Sequence, residues 1–317
     1  LEERWLFEAV TETYIPLIKF FDRLRSEGIR FRMTLSISPS LAAMLENPIL
    51  CERCTRHLDM SLRLAEAEIQ RTQHWPEVNR LAHMYHSLFS EARQVFVERA
   101  GQRLLPVFRE FEQAGLLELM TCASTHAYFP GLSAYPGSIR AQVFSAVDEH
   151  KRLFGTKPKG FWMPECGDFP GVDHVLAEAG LRYSFVESHG IENATPKPLF
   201  GPYAPVYCPS GLAVFGRLNT TSKLVWSSMV GYPADTRYRE YYRDIGYDLD
   251  HDYLAPYEYA PGVRTATGIK YHRITGPGKD KHLYDPDLGR EAAQAHARDF
   301  VNRCREQARH ASHRVPF

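Results

Sequence analysis

The sequence has no charge imbalance: 38 Lys and Arg side chains meet 38 Asp and Glu. A neutral chain exerts no general pull on nucleic acid or an anionic membrane surface, so neither is expected as a partner. A long apolar run is also missing; nothing approaches the roughly 18 residues a membrane span takes, and no signal peptide is expected. The six cysteines, at 51, 54, 122, 166, 208 and 304, make no regular framework. That excludes a disulfide scaffold and leaves a reducing, cytoplasmic compartment as the expectation. Cys51 and Cys54 have metal-like spacing, but no second CxxC and no HxxxH accompanies them, and a structural zinc takes four ligands. Internal repeats and low-complexity segments are absent too. What is plentiful is aromatic: 17 Tyr, 18 Phe and 4 Trp, which suits carbohydrate binding and an ordinary large core equally.

The 317 residues suit one large α/β domain or two smaller ones. Helical spacing predicts a helix over 7–24 despite Pro16, ended by Gly28, and period-two alternation predicts a strand over 31–37. Ser38-Pro39-Ser40 opens a helix, and residues 41–101 read as a helical insertion broken near Trp75-Pro76. His74, His83 and His86 lie there; His83 and His86 share a face, as metal ligands or as solvated or core side chains. A helix over 104–114 stops at Gly115, and strands follow at 116–122, 160–163 and 182–186, separated by helices over 139–154 and 172–178. Strand–helix alternation argues for a parallel sheet with crossover helices. His126, Glu165 and His189 each follow a strand in the same sense and could converge at one face.

Residues 191–290 are irregular, with strand candidates at 205–207, 212–216 and 268–273. A Tyr-, Arg- and Asp-rich loop after Val225-Trp226-Ser227-Ser228 reads either as a mobile cover over a polar substrate or as a surface loop with locally packed tyrosines. A helix over 287–311 and one more strand beginning at Arg314-Val315-Pro316-Phe317 complete the reading.

The sharpest single feature is Phe161-Trp162-Met163-Pro164-Glu165-Cys166. An apolar strand ends at Pro164, which has no N–H for the ladder, and leaves Glu165 at the mouth of a loop. α/β barrels keep their chemistry at that position. Glu165 is therefore a candidate catalytic carboxylate, against the alternative of a capping or ion-paired Glu. Trp162 is flat enough to face a sugar ring and equally suited to the core.

These residues, with others spread along the chain, resemble glycoside hydrolase family 57, and within it the group of glucan branching enzymes and amylase-like proteins. The segments that carry the likeness are FRMTLSISP (31–39), THAYFP (125–130), GFWMPEC (160–166), FGR (215–217), VWSS (225–228), YPAD (232–235), YREYYRDIGYD (238–248) and TGIKYHRITG (267–276). Their occurrence in the family's order makes the signal specific. The resemblance implies an incomplete (β/α)7 barrel, followed by a helical segment that the 317 residues do not contain. It implies a retaining mechanism on α-1,4-glucan (glycogen, amylose or maltooligosaccharide), with no metal or organic cofactor. Carried over residue by residue, Glu165 is the nucleophile, His126 lines the subsite beside it and Trp162 is the neighbouring aromatic. Arg217 and Trp226 border the cleft, Tyr232 is the loop tyrosine that excludes water, and Lys270 and Tyr271 fall on a cleft-lining strand. The same likeness leaves branching, α-amylase or 4-α-glucanotransferase action, and a catalytically silent glucan-binding role open.

Two departures stand beside these matches. The family's histidine motif of the first strand is expected upstream of Leu1. The Asp acting as general acid/base is expected just after the strand begun by Val315-Pro316-Phe317, so the 317 residues alone are expected not to turn over glucan. Smaller departures are His272, where relatives often carry an aromatic, and Gly167-Asp168-Phe169 after the nucleophile position.

Overall fold

The structure, a computed structural model, describes residues 2–258, 262–276, 278 and 281–312. The strand start expected at 314–317 lies outside them. The chain divides into two compact units. The first is made of Leu1–Asp22, Pro48–Leu104 and Lys223–Asn302, and the second of Arg23–Asn47, Leu105–Ser222 and Arg303–Phe317.

The helix expected over 7–24 is two helices, α1 (Glu2–Ala9) and α2 (Ile15–Ser26), joined by a π-helical turn at Val10–Tyr14. Pro16 accounts for the irregularity, because it offers no N–H to the ladder and its ring crowds the preceding turn. Gly28, at φ 68°, closes α2. Strand β1 (Met33–Ser36) follows, shorter than the alternation predicts. The Ser38 hydroxyl accepts from the Leu41 N–H at 3.3 Å and caps α3 (Pro39–Glu46). Then come α4 (Pro48–Arg71), α5 (Pro76–Gln94) and α6 (Leu104–Gln113). The helical insertion is thus present. α3, α4 and α5 each begin at a proline, where the missing N–H costs nothing. In the first unit α4 and α5 bury Leu64, Leu81, Tyr85 and Phe89 in a core that also holds Ile245 and Ile269.

The second unit holds the sheet. After α6 the chain runs β2 (Leu117–Cys122), α7 (Pro136–Phe154), β3 (Gly160–Trp162), α8 (Val172–Glu178), β4 (Tyr183–Glu187), α9 (Ser188–Glu192), β5 (Val206–Tyr207) and β6 (Ala213–Arg217). The strand order is β1-β2-β3-β4-β6-β5; every neighbouring pair is parallel except the edge pair β5–β6. The expected α/β alternation is therefore borne out, and the C-terminal ends of five strands lie on one side. Phe161, Val186 and Val214 join Val143 and Val147 of α7 and Leu176 of α8 in the core cluster. Burying Phe161 completely contributes about 1.5–3 kcal/mol.

The alternate residues of the same strands form an aromatic row. Trp162 and Tyr183 each pack against Phe185, and Phe215 against both Tyr183 and Phe185, with ring centroids 5.8–6.2 Å apart. Tyr183, in register with Gly160, lays its ring over that glycine. A Cβ at Gly160 would lie 2.4 Å from the ring, so close approach, not backbone freedom, requires glycine there.

The first unit is completed by α10 (Asn219–Trp226, its last turn), α11 (Ile245–Asp248), α12 (His251–Leu254) and α13 (Pro286–Ser312) as far as Asn302. Here one expectation is corrected. Residues 268–273 are not a strand of any ladder; two isolated bridges, Arg239 to Arg273 and His272 to Leu283, are all the pairing they make among the described residues. Side chains answer much of the backbone instead. The Tyr85 hydroxyl accepts from the Lys270 N–H at 2.9 Å and donates to the Lys270 carbonyl at 2.8 Å. The Asp244 carboxylate accepts from the N–H groups of Thr267 and Gly268, both at 2.8 Å.

Candidate active site

Pro164 ends β3, and Pro164–Cys166 folds into a single 3-10 turn closed by the Cys166 N–H to the Met163 carbonyl at 2.9 Å. Turning that sharply forces Glu165 to φ 54°, ψ 23° and Cys166 to φ 52°. Side chains rarely adopt that left-handed region, which costs of order 1 kcal/mol or more per residue. Only four non-glycine residues among those described have positive φ, and three of them are His126, Glu165 and Cys166. Strain is concentrated at the ends of β2 and β3. The Glu165 side chain is 77% exposed, and its carboxylate stands 3.9 Å from Nε2 of His126.

His126 is held from two sides. Its N–H donates to the Ala123 carbonyl at 2.8 Å, and its Nδ1 lies 3.1 Å from the sulfur of Cys122, the last residue of β2. The loop before it is tied to α7, since the Thr125 N–H donates to Gln142 at 2.9 Å and the Gln142 amide returns a bond to the Thr125 hydroxyl at 2.8 Å. On the other flank, Glu187 at the end of β4 pairs with Arg217 at the end of β6. Burial first, with Glu187 beside it, pushes the Cys166 thiol's pKa up to about 11.

Of the residues singled out from sequence, Glu165, His126, Trp162 and Arg217 therefore lie at the C-terminal ends of adjoining strands of the second unit. Trp162 is half-buried against Phe185 and the core. His189 sits in the first turn of α9 rather than in an open loop. Gly167 is explained by Tyr128, whose ring would lie 2.6 Å from a Cβ there. Sequence reasoning passed over Cys122 and Glu187 as site members. Their one signal is parity: Glu187 shares its face of β4 with Tyr183 and Phe185, and Cys122 pairs in register with Trp162.

The other four belong to the first unit and are placed within it. Trp226 ends α10 and is 60% exposed. The Tyr232 hydroxyl donates to Asp299 at 2.7 Å and its ring stacks on His296 at 4.5 Å. Lys270 donates to the Tyr241 carbonyl at 2.8 Å and lies 3.7 Å from Glu8; both line a hollow of about 740 Å³ with Glu12, Arg239 and Tyr242. Tyr271 is buried and donates to the buried Glu68 at 2.8 Å. Glu68 also accepts from Tyr253 at 2.8 Å and is clasped by Arg71 at 2.7 Å. Half-buried His272, in the same segment, has its imidazole pKa drawn down by burial and Arg243.

Among the described residues no three His, Cys, Asp or Glu side chains are grouped to hold a metal ion. Cys51 and Cys54 are buried in α4, and burial lifts the Cys54 thiol to about 12. No helix among those residues is long and apolar enough to cross a membrane.

Comparison with known proteins gives a coherent set. The family model of glycosyl hydrolase family 57 matches residues 1–284. A 1,4-alpha-glucan branching enzyme of Thermococcus kodakarensis is 31% identical over 331 residues, spanning 95% of this chain and 45% of its own. A probable 1,4-alpha-glucan branching enzyme of Mycobacterium tuberculosis is 27% identical, over 99% of this chain and 57% of its own. Among solved structures, an alpha-amylase from Thermotoga maritima superposes with a TM-score of 0.93 at 42% identity, covering 98% of this chain and 60% of that one. A branching enzyme of the same family from Thermococcus kodakaraensis gives 0.81 at 28%, covering 99% and 58%. The chain spans about half the length of the curated relatives it matches.

Proposed function

The chain belongs to glycosyl hydrolase family 57, and from that premise we propose that it carries the nucleophile of a retaining α-1,4-glucan-active site. One observation supports this above the rest: Glu165 leaves β3 in a strained turn with its carboxylate open to solvent and His126 beside it. A carboxylate that only caps a helix or balances a charge needs no such turn; strain kept at one exposed acid suits a group that must reach a substrate.

In this reading a Glu165 oxygen attacks the anomeric carbon of an α-1,4-linked glucose. The C1–O4 bond breaks, and the leaving oxygen takes a proton from an acid partner, giving a glycosyl-enzyme. The partner, now a base, accepts a proton from the acceptor hydroxyl as that oxygen displaces Glu165. The parallel order of β1, β2, β3, β4 and β6 supports the incomplete (β/α)7 barrel. Trp162 and Arg217 on the second unit, and Trp226, Tyr232, Lys270 and Tyr271 on the first, are proposed to bind the glucan.

We take 1,4-α-glucan branching, with the 6-hydroxyl of a second glucan as acceptor, as the reaction; the curated branching-enzyme relatives support it. Hydrolysis is the second reading, favoured by the likeness to the Thermotoga maritima alpha-amylase. Proton NMR of amylose incubated with the full-length protein separates them. New α-1,6 anomeric signals mean branching, and reducing-end signals alone mean hydrolysis. A Glu165→Gln protein that retains either activity would refute the nucleophile assignment.

A further inference from the structure

We propose that Cys122 is a positioning residue whose thiol donates to Nδ1 of His126 and so fixes the imidazole with its proton on Nε2, facing Glu165. The geometry has three parts. Cys122 is 1% exposed at the end of β2, its sulfur is 3.1 Å from Nδ1, and Nε2 on the far side of the ring is 3.9 Å from the Glu165 carboxylate. The His126 main chain is pinned by its bond to Ala123, so the ring is presented to both neighbours at once.

The direction of the hydrogen bond follows from the thiol. Burial pushes the Cys122 pKa up to about 11, so near neutrality the sulfur carries its hydrogen. An S–H needs an acceptor, and the neutral imidazole offers one at whichever nitrogen is bare. Nδ1 facing the thiol is then the bare nitrogen and Nε2 the N–H. An imidazolium would set an N–H donor against the S–H and lose that bond.

The consequence bears on the nucleophile, and here the inference rests on the proposed role of Glu165. A neutral N–H donor orients a carboxylate oxygen without pairing it with a full positive charge. A full charge at that distance would stabilise the carboxylate and blunt its attack on carbon. The thiol fixes the ring's tautomer and orientation, as the buried acid of a catalytic triad does for its histidine.

The test reads the tautomer directly. Long-range ¹H–¹⁵N correlation spectra of the full-length protein near neutrality, with His126 assigned by the signals lost in His126→Gln, are expected to give the Nε2–H form. Cys122→Ser, whose hydroxyl can donate in the same place, is expected to keep that form. Cys122→Ala is expected to mix tautomers and to lower kcat by about tenfold with KM within about twofold, and Cys122→Ser to recover most of the rate. An Nδ1–H tautomer or an imidazolium in the unaltered protein would overturn the proposal, as would an unchanged spectrum in Cys122→Ala. Retained activity in Glu165→Gln would instead defeat the nucleophile assignment, and the spectra tell the two failures apart.

Discussion

Arg217 and Glu187 face each other in register at the C-terminal ends of β6 and β4, and their side chains are joined in an ion pair. The pair is largely buried on the Glu side, and Nε of Arg217 is buried without a hydrogen-bond partner among the described residues. A paired arginine with a spare inward donor is built for more than charge balance. Its neighbour Cys166, beside the same Glu187, follows the candidate nucleophile directly.

Replacing Arg217 by Met strands the Glu187 carboxylate in a half-buried place and is expected to destabilise the fold by about 1–3 kcal/mol. Glu187→Gln should cost less, because a neutral amide leaves no unpaired charge. Chemical denaturation of both single variants and the double variant measures the coupling. A coupling within error of zero would mean that solvent screens the pair.

Glu165 predicts a trade between stability and activity. Glycine at 165 relieves the left-handed strain but frees the unfolded chain, so Glu165→Gly is expected to raise stability by about 0.5–1 kcal/mol. The same change should lower glucan turnover by at least about a thousandfold. Thermal unfolding and rate assays on one preparation of the full-length protein check both halves together. A destabilised glycine variant would show that the side chain supports the turn.

Tyr85→Phe keeps the ring and removes one hydroxyl, yet that hydroxyl serves both the N–H and the carbonyl of Lys270. It also accepts from Arg239 at 3.1 Å. Two buried main-chain groups lose their partner at once, so the expected cost is about 2–4 kcal/mol. Amide hydrogen exchange at Lys270 should quicken more than exchange at distant helices. Equal protection in both proteins would place the support of this segment elsewhere.

His150 sets part of the acid limb of stability. Its ring is buried against Phe154, neither nitrogen has a hydrogen-bond partner among the described residues, and burial brings its pKa down to about 4 from 6.5. As pH falls through 6.5 the unfolded chain takes up this proton, while the folded chain does not until about 4. Between those values stability therefore drops, by up to about 1.4 kcal/mol per pH unit, and above 6.5 the group has no effect. His150→Phe should flatten this stretch of the curve. Denaturation midpoints from pH 7 down to pH 4 with an unaltered slope would exclude the assignment.

Much of the fold was legible because its signals are local. Prolines at 39 and 76 opened helices where they were expected, the further break at Pro48 was not foreseen, and Gly28, Gly115 and Gly180 sit at φ values of 68°, 71° and 88° just past helix ends. Period-two alternation located β1, the strand–helix succession located β2, β3 and β4, and Pro164 located the turn that carries Glu165. Residues 268–273 misled for a physical reason. Alternation marks an extended segment but does not say what bonds its main chain. Here a tyrosine from α5 and the side chain of Asp244 take the place of a neighbouring strand.

The sequence by itself determined the family, the succession of helices and parallel strands, and the placement of one acid where a strand opens. These follow from spacing along the chain and from residues that permit or forbid a backbone shape. Only the tertiary structure decided that Cys122 meets His126, that Glu187 meets Arg217, and that Glu165 stands in a left-handed turn. The Glu187–Arg217 meeting depends on register between strands far apart in the chain, which is fixed by how the sheet packs on its helices; the other two are local turns whose backbone angles spacing alone does not give.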